Sequence, residues 1–317
     1  MNEFLIDKQQ VRRAFNRASA GYDAAAVLQR EVCARMLERL EYIKLQPERI
    51  LDAGSGTGWG TRRLAQRYPA AQMIALDIAS GMLQTARGRS GWWQKLFGGT
   101  KQMLVCGDIE TLPLAANSVE MVWSNLAVQW CNDLPATFVE LHRVLKVDGL
   151  LMFSTFGPDT LKELRLAFNG VDQHNHLNRF ADMHDIGDML VHSGFAEPVM
   201  DMEYLTLTYD DVRGVLQDLK TIGAHNATAG RGQGLMGKNA WARLMENYER
   251  LRSNGKLPAT FEVVYGHAWK PQPRTTKDGA AIIQTSFKLK RTQTPLPPLS
   301  GGLKYSSPDK GRLGGVV

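Results

Sequence analysis

Cysteine is scarce in this sequence of 317 residues, and long hydrophobic runs do not occur in it. The three cysteines, Cys33, Cys106 and Cys131, are far apart and form no CxxC pair, so they predict neither a disulfide framework nor a zinc site. No stretch approaches the roughly 18 to 20 apolar residues of a membrane span, and the first residues contain no apolar signal core. These absences predict a soluble protein of a reducing compartment, the cytoplasm, with no membrane partner and no metal.

Acidic residues are scarce in only one part of the chain. The formal net charge is +6, but residues 270–317 carry +7, so the first 269 residues are near neutral at −1. A near-neutral body lacks the basic residues that track a phosphate backbone, which argues against nucleic acid as a partner. The basic end is either a solvated tail or a segment that touches an acidic partner. With 44% hydrophobic residues, the chain can bury a sizeable core.

The hydrophobic pattern changes along the chain and predicts four regions. Residues 1–46 have helical spacing and should form two helices before the first strand. Residues 47–157 alternate short apolar runs with helical segments, which is typical of a doubly wound, mostly parallel, Rossmann-like α/β sheet. Residues 158–270 mix lid helices with strands that complete the sheet. Residues 271–317 have few apolar side chains and should be largely disordered.

Individual elements can be placed within these regions. Strands are predicted at Arg49–Ala53, Gln72–Asp77, Gln102–Cys106, Val119–Ser124 and Leu150–Thr155, and later near Met200–Thr208 and at Thr260–Trp269. Helices are predicted at Thr61–Tyr68, Ser80–Arg87, Pro135–Lys146, Met183–His192, Asp210–Ile222 and Lys238–Arg252. A further helix is predicted after Pro158 and ends at about Phe168. The last strand is expected to close the sheet.

A glycine-rich loop follows the first predicted strand. Asp52 precedes Gly54, Gly56 and Gly58, which let the chain turn sharply and let a ligand approach bare backbone at a helix N-terminus. A dinucleotide fingerprint needs a glycine at the sixth position, where Trp59 stands when counting from Gly54. The GxGxG spacing of these glycines, preceded by the acid Asp52, is instead similar to that of Rossmann-like S-adenosylmethionine (SAM) methyltransferases. The alternative is a glycine turn that serves tight packing alone.

Carboxylates follow the next two predicted strands at the same edge of the sheet. Asp77 ends the second strand and could accept two hydrogen bonds from a ribose diol, with Ile78 beside it. Asp77 could instead cap the next helix, although Ser80 already suits that position. Asp108 and Ile109 follow the third strand and would offer a carboxylate and an aliphatic wall to an adenine ring. Together with the loop, these residues predict SAM as the cofactor.

The residues after the fourth predicted strand narrow the choice of chemical group that accepts the methyl. Ser124-Asn125-Leu126-Ala127 stands where amino-group methyltransferases have Asn/Asp-Pro-Pro-Tyr, and no cysteine pair suggests C-methylation. No clear general base lies beside the loops, whereas a carboxylate has a lone pair at neutral pH and no proton to remove. These absences favour a carboxylate acceptor, with catalysis by alignment and by exclusion of water.

Longer motifs extend the pattern beyond the glycine loop. They are Ala20 to Asp23, Leu51 to Gly58, Gly107 to Leu114, Ser124 to Cys131, Asn178-Arg179-Phe180 and Leu219 to Ala224. With these motifs the chain closely resembles the BioC family, the malonyl-[acyl-carrier protein] O-methyltransferases of biotin synthesis, from about Lys8 to Trp269. The resemblance implies transfer of a methyl group from SAM to the free malonyl carboxylate of a thioester carried by an acyl-carrier protein.

The resemblance also implies roles for single residues. Tyr22 and Gln29 would close over the methionine end of SAM, so that residues 1–46 cap the cofactor site, and Asn125 would hold the cofactor's amino-acid end. Trp130 would wall the acceptor pocket, and the planar guanidinium of Arg179 would bind the malonyl carboxylate. Tyr22, Trp130 and Arg179 are thus the candidate catalytic residues. Tyr22 and Trp130 could instead be core aromatics, and Arg179 a surface arginine.

Several features stay outside this set. Lys220 and Arg231 are further candidates for the same pocket or for the carrier's phosphopantetheine phosphate. His174 and His176 have no third ligand at suitable spacing and are expected to be solvated. The Trp92-Trp93 insertion and the chain after Pro271 lie outside the resemblance, and a monomer is expected.

Two other functions fit parts of the same sequence. The segments from Phe156 to Arg165 and from Leu257 to Thr260 resemble a mitochondrial complex I assembly-factor branch, to which arginine hydroxylation is assigned. A non-catalytic SAM-binding scaffold would also retain the glycine loop and Asp77. The motifs Asn178-Arg179-Phe180 and Val128-Gln129-Trp130-Cys131 favour the carboxyl methyltransferase.

Overall fold

The computed structural model describes residues 5–89, 102–171, 177–221, 228 and 236–273. Up to Gln272 these residues belong to one compact unit. The Trp92-Trp93 insertion, His174, His176, Arg231 and the chain from residue 274 onward lie outside the described residues, and what the sequence predicts for them stays a prediction. Within the described ranges, no helix is long and apolar enough to cross a membrane.

Seven of the described segments form one sheet. They are β1 (Arg49–Ala53), β2 (Gln72–Asp77), β3 (Gln102–Cys106), β4 (Val119–Asn125), β5 (Leu145–Phe156), β6 (Ala196–Tyr209) and β7 (Leu257–Trp269). Their order is β3-β2-β1-β4-β5-β7-β6, with β1 to β5 parallel and β7 antiparallel to both of its neighbours. The predicted Rossmann-like α/β class is confirmed, and the carboxyl ends of β1 to β4 meet at one edge.

Helices cover both faces of this sheet. They are α1 (Lys8–Ala18), α2 (Tyr22–Ala25), α3 (Val27–Arg39), α4 (Trp59–Arg67), α5 (Ser80–Arg89), α6 (Leu134–Val144), α7 (Lys162–Phe168), α8 (Met183–His192), α9 (Val212–Thr221) and α10 (Lys238–Glu249), with 3-10 turns at Leu40–Tyr42 and Val128–Trp130. The prediction of two helices before β1 is wrong. The backbone of Ala26 leaves the helical region, with ψ of 48°, and so separates α2 from α3.

The two strands that complete the sheet differ from expectation in their order. The outer strand is β6, whereas β7, which was expected to close the sheet, lies between β5 and β6. The two strands form a long antiparallel pair, from Ala196 opposite Trp269 to Tyr209 opposite Leu257, although α9 and α10 lie between them in the chain. Side chains of β7 are buried along nearly its whole length, while those of β6 alternate in exposure. Alternation is typical of an edge strand with one solvated face.

Two apolar clusters hold the layers together. One packs α3, α4, α7, α9 and α10 against the sheet, and the other packs α6 and α8 against it. Trp123, on β4, and Phe138, on α6, are fully buried in opposite clusters. Because both faces are covered in this way, the space open to a ligand lies at the carboxyl edge of the parallel strands.

Candidate active site

The glycine loop between β1 and α4 is fixed by its backbone. Its three glycines have positive φ, and a Cβ on Gly54 would lie 2.2 Å from the Cβ of Ala127. The amides of Gly54 and Ser55 donate to the carbonyl oxygen of Leu76 at 2.8 and 2.9 Å, which holds the loop against the end of β2. Gly58, in the left-handed region, is the N-cap of α4. The turn therefore requires glycine for steric reasons as well as for ligand access.

Asp77 is buried at the end of β2 and binds two backbone amides. It accepts hydrogen bonds from Gly56 at one oxygen and from Ala79 at the other, both at 2.8 Å. Burial raises the pKa of Asp77 to about 6, and the two amide bonds oppose that rise. The bond to Ala79 orders the start of α5, so the capping alternative describes part of what Asp77 does. Each oxygen keeps a second lone pair with which to accept from a ligand.

Asp52 lies deeper, at the end of β1. Its carboxylate accepts a hydrogen bond from the Thr61 hydroxyl at 2.5 Å, and the side chain is almost fully buried. Burial is the largest cause that raises the pKa of Asp52 to about 7, the Thr61 bond opposes it, and the charge of Asp77 adds to it. Two interacting carboxyl groups in one buried site favour a cationic ligand, because a positive charge would stabilise their ionised forms.

Two adjoining cavities open at this edge. The first contains about 630 Å³ of space, part of which is open to solvent. Of the predicted residues, it is lined by Tyr22, Gly54, Gly56, Asp77, Ile78, Asp108, Ile109, Asn125 and Trp130. The second is lined by Tyr22, Gln29, Asp52, Gly54, Gly56 and Asn125. The four residues that both lists share, Tyr22, Gly54, Gly56 and Asn125, form a common wall.

The second cavity contains buried polar atoms that have no partner within the described part of the chain. They are Gln29 Oε1, Ser55 Oγ and Trp123 Nε1. Arg30 also lines this cavity, and no ion pair joins it to another residue in the described part of the chain. A buried polar atom without a partner is costly, and an amino-acid group of a ligand would satisfy both the hydrogen-bond donors and the acceptor in this cavity. Its carboxylate accepts from the donors, and its ammonium donates to Gln29. The residues present thus fit the methionine end of SAM.

Residues from the N-terminal helices cover the first cavity. The Lys8 ammonium lies 2.9 Å from Asp108 and 2.8 Å from Glu110, and Lys8 itself lines the cavity. The Phe15 ring meets the Trp130 ring edge-on, with centroids 5.5 Å apart. These contacts place α1 over the cavity. The Asp108 carboxylate, predicted to receive an adenine amino group, also carries the ion pair with Lys8.

Tyr22 and Asn125 stand at the common wall. The Tyr22 ring lies 4.0 Å from the position of a Cβ on Gly56, and burial together with the Asp77 charge raises the pKa of Tyr22, so its hydroxyl stays protonated. The Asn125 amide donates to the backbone oxygen of Gln29 at 3.0 Å and accepts from the Ser154 hydroxyl at 2.9 Å. Asn125 therefore positions Gln29 and retains one N–H for a ligand.

Two of the predicted substrate residues, Arg179 and Lys220, do not line either of these cavities. Arg179 is exposed and lines a third, open cavity with Lys162 and Arg165. Lys220 lines a fourth, between α9 and the α1–α2 connection, with Arg17. Neither placement tests a role toward the acceptor, and both assignments stay predictions.

Sequence reasoning missed several residues of the site, and four of them bear on its chemistry. Lys8, Arg30, Ser55 and Trp123 line the two cavities, but none stands in the predicted set. Arg30 and Ser55 are direct neighbours of predicted residues, and adjacency could have signalled them. Trp123 lies inside an apolar strand and looks like core, so only the unpartnered ring nitrogen shows its polar side.

Comparisons with known proteins agree with this geometry. Residues 51–153 match the family model described as "Methyltransferase domain". The malonyl-[acyl-carrier protein] O-methyltransferase of Gallionella capsiferriformans is 80% identical over 92% of this chain and 100% of its own. The protein of the same name from Nitrosospira multiformis is 64% identical over 86% and 92%, and that of Legionella pneumophila 41% over 89% and 96%.

Solved structures support the fold alone. The YcgJ protein of Bacillus subtilis has a TM-score of 0.54 at 17% identity, and covers 77% of this chain and 100% of its own. A Bacillus halodurans protein has a TM-score of 0.53 at 16% identity, with 76% and 99% covered. Taken with the sequence relatives and the two cavities, these findings show that the chain belongs to the malonyl-[acyl-carrier protein] O-methyltransferase family of class I, SAM-dependent methyltransferases.

Proposed function

We propose that this chain transfers a methyl group from SAM to the free carboxylate of malonyl-[acyl-carrier protein], the step that begins pimeloyl synthesis for biotin. The observation that carries the proposal is the pair of cavities with a common wall at Tyr22, Gly54, Gly56 and Asn125. One cavity bears acids suited to a nucleoside, and the other bears unpartnered groups suited to an amino acid. A sulfonium centre joins those two parts of SAM, and it would lie at the wall.

Each end of the cofactor has its own set of residues. Asp77 would accept from the ribose hydroxyls, and Asp108 and Ile109 would contact the adenine ring. Arg30, Ser55 and Trp123 would donate to the carboxylate of the amino-acid end, while Gln29 would accept from its ammonium. The buried Asp52 and Asp77 add negative potential close to a ligand that carries a positive charge.

Bound SAM supplies an electrophilic methyl group whose transfer leaves a neutral thioether. The protein removes no proton in this reaction, because the malonyl carboxylate is already ionised at neutral pH. Tyr22, with its proton retained, closes the wall, and the rings of Phe15 and Trp130 exclude water from the first cavity. The contribution of these residues is alignment in a dry site, which avoids loss of the donor to water. Arg179 is proposed to hold and turn the acceptor carboxylate.

The direct test is incubation of the purified protein with methyl-labelled SAM and malonyl-carrier protein. The expected product is a base-labile methyl ester on the carrier thioester, absent with acetyl-carrier protein, which has no free carboxylate. A protein that binds SAM but labels no thioester would be a scaffold. Hydroxylation of a protein arginine, with no methyl ester, would point to the assembly-factor function, which the names of the reported relatives do not favour.

A further inference from the structure

One oxygen of the Asp108 carboxylate is already bonded within the protein. Asp108 follows β3 and lines the first cavity. Its Oδ1 atom accepts a hydrogen bond from the Lys8 ammonium at 2.9 Å and another from the backbone amide of Glu110 at 3.1 Å. No described residue donates a hydrogen bond to the other oxygen, Oδ2. The carboxylate therefore has one occupied oxygen and one that is open to a ligand.

The turn after β3 supplies one of these two bonds. The contact between the Asp108 side chain and the amide two residues later is an Asx turn, a local arrangement that aspartate favours. The backbone closes the same turn, because the Thr111 amide donates to the carbonyl oxygen of Asp108 at 3.2 Å. A single bond to Oδ1 leaves the plane of the carboxylate free to turn. The direction of Oδ2 therefore depends on the second donor, Lys8.

Lys8 is itself held in place by a second carboxylate. Its ammonium lies 2.8 Å from Glu110 Oε2, while Glu110 Oε1 accepts from the amides of Asn132 and Asp133, the latter at 3.0 Å. The side chains of Lys8, Asp108 and Glu110 are between 21% and 26% exposed, so solvent screens their ion pairs less than pairs on an open surface. Lys8 thus reaches Asp108 from a fixed position.

The chemistry of a purine base gives the open oxygen a consequence for specificity. Adenine carries an amino group that donates hydrogen bonds, whereas hypoxanthine carries a carbonyl oxygen at the same position, which only accepts. An ionised carboxylate oxygen accepts and cannot donate, so it favours the amino group and disfavours the carbonyl oxygen. The strength of this discrimination depends on how firmly Oδ2 of Asp108 is directed at the base.

We propose that Lys8 is a positioning residue that directs the open oxygen of Asp108 toward the amino group of the bound adenine. Lys8 acts through Asp108, because its ammonium and the Glu110 amide together occupy Oδ1 and fix the plane of the carboxylate. The preference for an adenine nucleoside then depends on α1, the helix that covers the first cavity. This inference rests on the SAM site of the proposed function and is independent of the methyl acceptor.

The first experiment compares two ligands that differ in one group. Calorimetry would measure the dissociation constants of S-adenosylhomocysteine and of S-inosylhomocysteine, in which a carbonyl oxygen replaces the amino group. The wild type should prefer the adenosyl ligand by at least about tenfold, as expected for a hydrogen bond to a charged group. Lys8→Met should lose most of this preference by weakening the adenosyl ligand alone, and Lys8→Arg should retain it.

The matched control is Arg12→Met. Arg12 is an exposed cation one turn later on α1, and it does not line the first cavity. Its loss should leave the wild-type preference unchanged. Thermal unfolding would show that each variant is folded.

A second variant keeps Lys8 and changes the acceptor. In Asp108→Asn, the donors Lys8 and Glu110 should hold the new amide oxygen in the place of Oδ1, so that the NH₂ group takes the place of Oδ2. This variant should therefore reverse the preference and favour the inosyl ligand. Adding Lys8→Met to Asp108→Asn should remove most of the reversal, since the amide group can then turn.

The outcomes separate this inference from the proposed function. Equal weakening of both ligands by Lys8→Met would show that Lys8 only covers the cavity or supports the fold, and would overturn the inference. A reversal that survives in the double variant would overturn it as well. If the preferences shift as expected but no malonyl thioester is methylated, the positioning role stands and the proposed function fails. If the thioester is methylated and Lys8→Met keeps the wild-type preference, the inference alone fails.

Discussion

The cofactor half and the acceptor half of this molecule differ in how their functional groups are held. At the ends of β1 to β4, the glycine loop, Asp52 and Asp77 are buried and bonded to backbone or hydroxyl groups. In the third, open cavity, Lys162, Arg165 and Arg179 are exposed on a short helix and an irregular segment. The first arrangement is rigid before a ligand arrives, and the second can adapt to a protein surface.

This difference implies two separable sets of mutational effects. Changes in the cofactor half should alter SAM affinity and the stability of the fold together, because the same hydrogen bonds serve both. Changes in the acceptor half should alter the use of the carrier substrate while stability stays nearly unchanged. Four substitutions or conditions test that separation.

The largest effect is expected for Gly54→Ala. A Cβ 2.2 Å from that of Ala127, in a residue with φ of 86°, forces the loop to move. We expect a loss of about 2 to 4 kcal/mol in the free energy of unfolding and no measurable SAM binding. Chemical denaturation and calorimetry would check this. The control, Gly88→Ala, has open space around its Cβ and lies within α5, so unchanged SAM binding is expected there.

Arg179→Ala should impair use of the methyl acceptor without affecting the cofactor half. We expect SAM affinity and melting temperature to be unchanged and kcat/KM for malonyl-carrier protein to fall about 100-fold, because a charged hydrogen bond to the acceptor is lost. Steady-state kinetics with both malonyl-carrier and malonyl-pantetheine measure the loss. Arg179→Lys should recover little, since an ammonium lacks the planar fork. A variant with normal turnover would remove the carboxylate assignment.

Arg30→Ala sharpens the comparison within the cofactor half. The loss of a cation beside the amino-acid end should weaken SAM roughly 10- to 100-fold. Binding of 5′-methylthioadenosine, which has no amino-acid group, should be unaffected. Calorimetry measures the dissociation constants of the two ligands. The control is Arg13→Ala, because Arg13 is an exposed arginine on α1. An equal loss for both ligands would mean that Arg30 supports the fold instead.

The smallest expected effect is a pH dependence of SAM binding. Asp77, with its pKa raised to about 6, should be ionised to pair best with the ligand, so SAM affinity should fall about tenfold between pH 7 and pH 5. The free energy of unfolding of the unliganded protein should instead increase as the pH falls. A raised carboxyl pKa stabilises the folded state at low pH, and that stability is lost as pH rises through about 6 to 7.

Calorimetry across this pH range would measure the binding effect, and thermal unfolding the stability effect. Asp77→Asn should flatten the binding profile. A wild-type affinity that stays constant from pH 5 to pH 8 would show that the ionisation of Asp77 is not linked to the ligand.

Much of the cofactor half could be predicted because its signals are local. The strand ends, the glycine spacing and the acids at positions 77 and 108 are close in sequence to the elements that place them, and β1 to β3 have the predicted bounds. A parallel sheet then brings its carboxyl ends together by topology alone.

The rest depends on contacts between distant segments. β6 and β7 pair across the two helices that separate them in the chain, and the hydrophobic pattern of each strand does not show which of them lies at the edge of the sheet. Lys8 reaches Asp108 across 100 residues of sequence. Arg179 stands in a motif that is easily recognised, yet its distance from the cofactor cavities is set by the packing of Phe180 on Phe156, which no local pattern encodes.

The bridge from Lys8 to Asp108 and Glu110 has a kinetic consequence. Because Lys8 lines the first cavity, a movement of α1 that widens the cavity for product release would break both ion pairs. Added electrolyte screens such pairs and should speed release of the demethylated cofactor. Where that release limits turnover, the rate should rise with ionic strength.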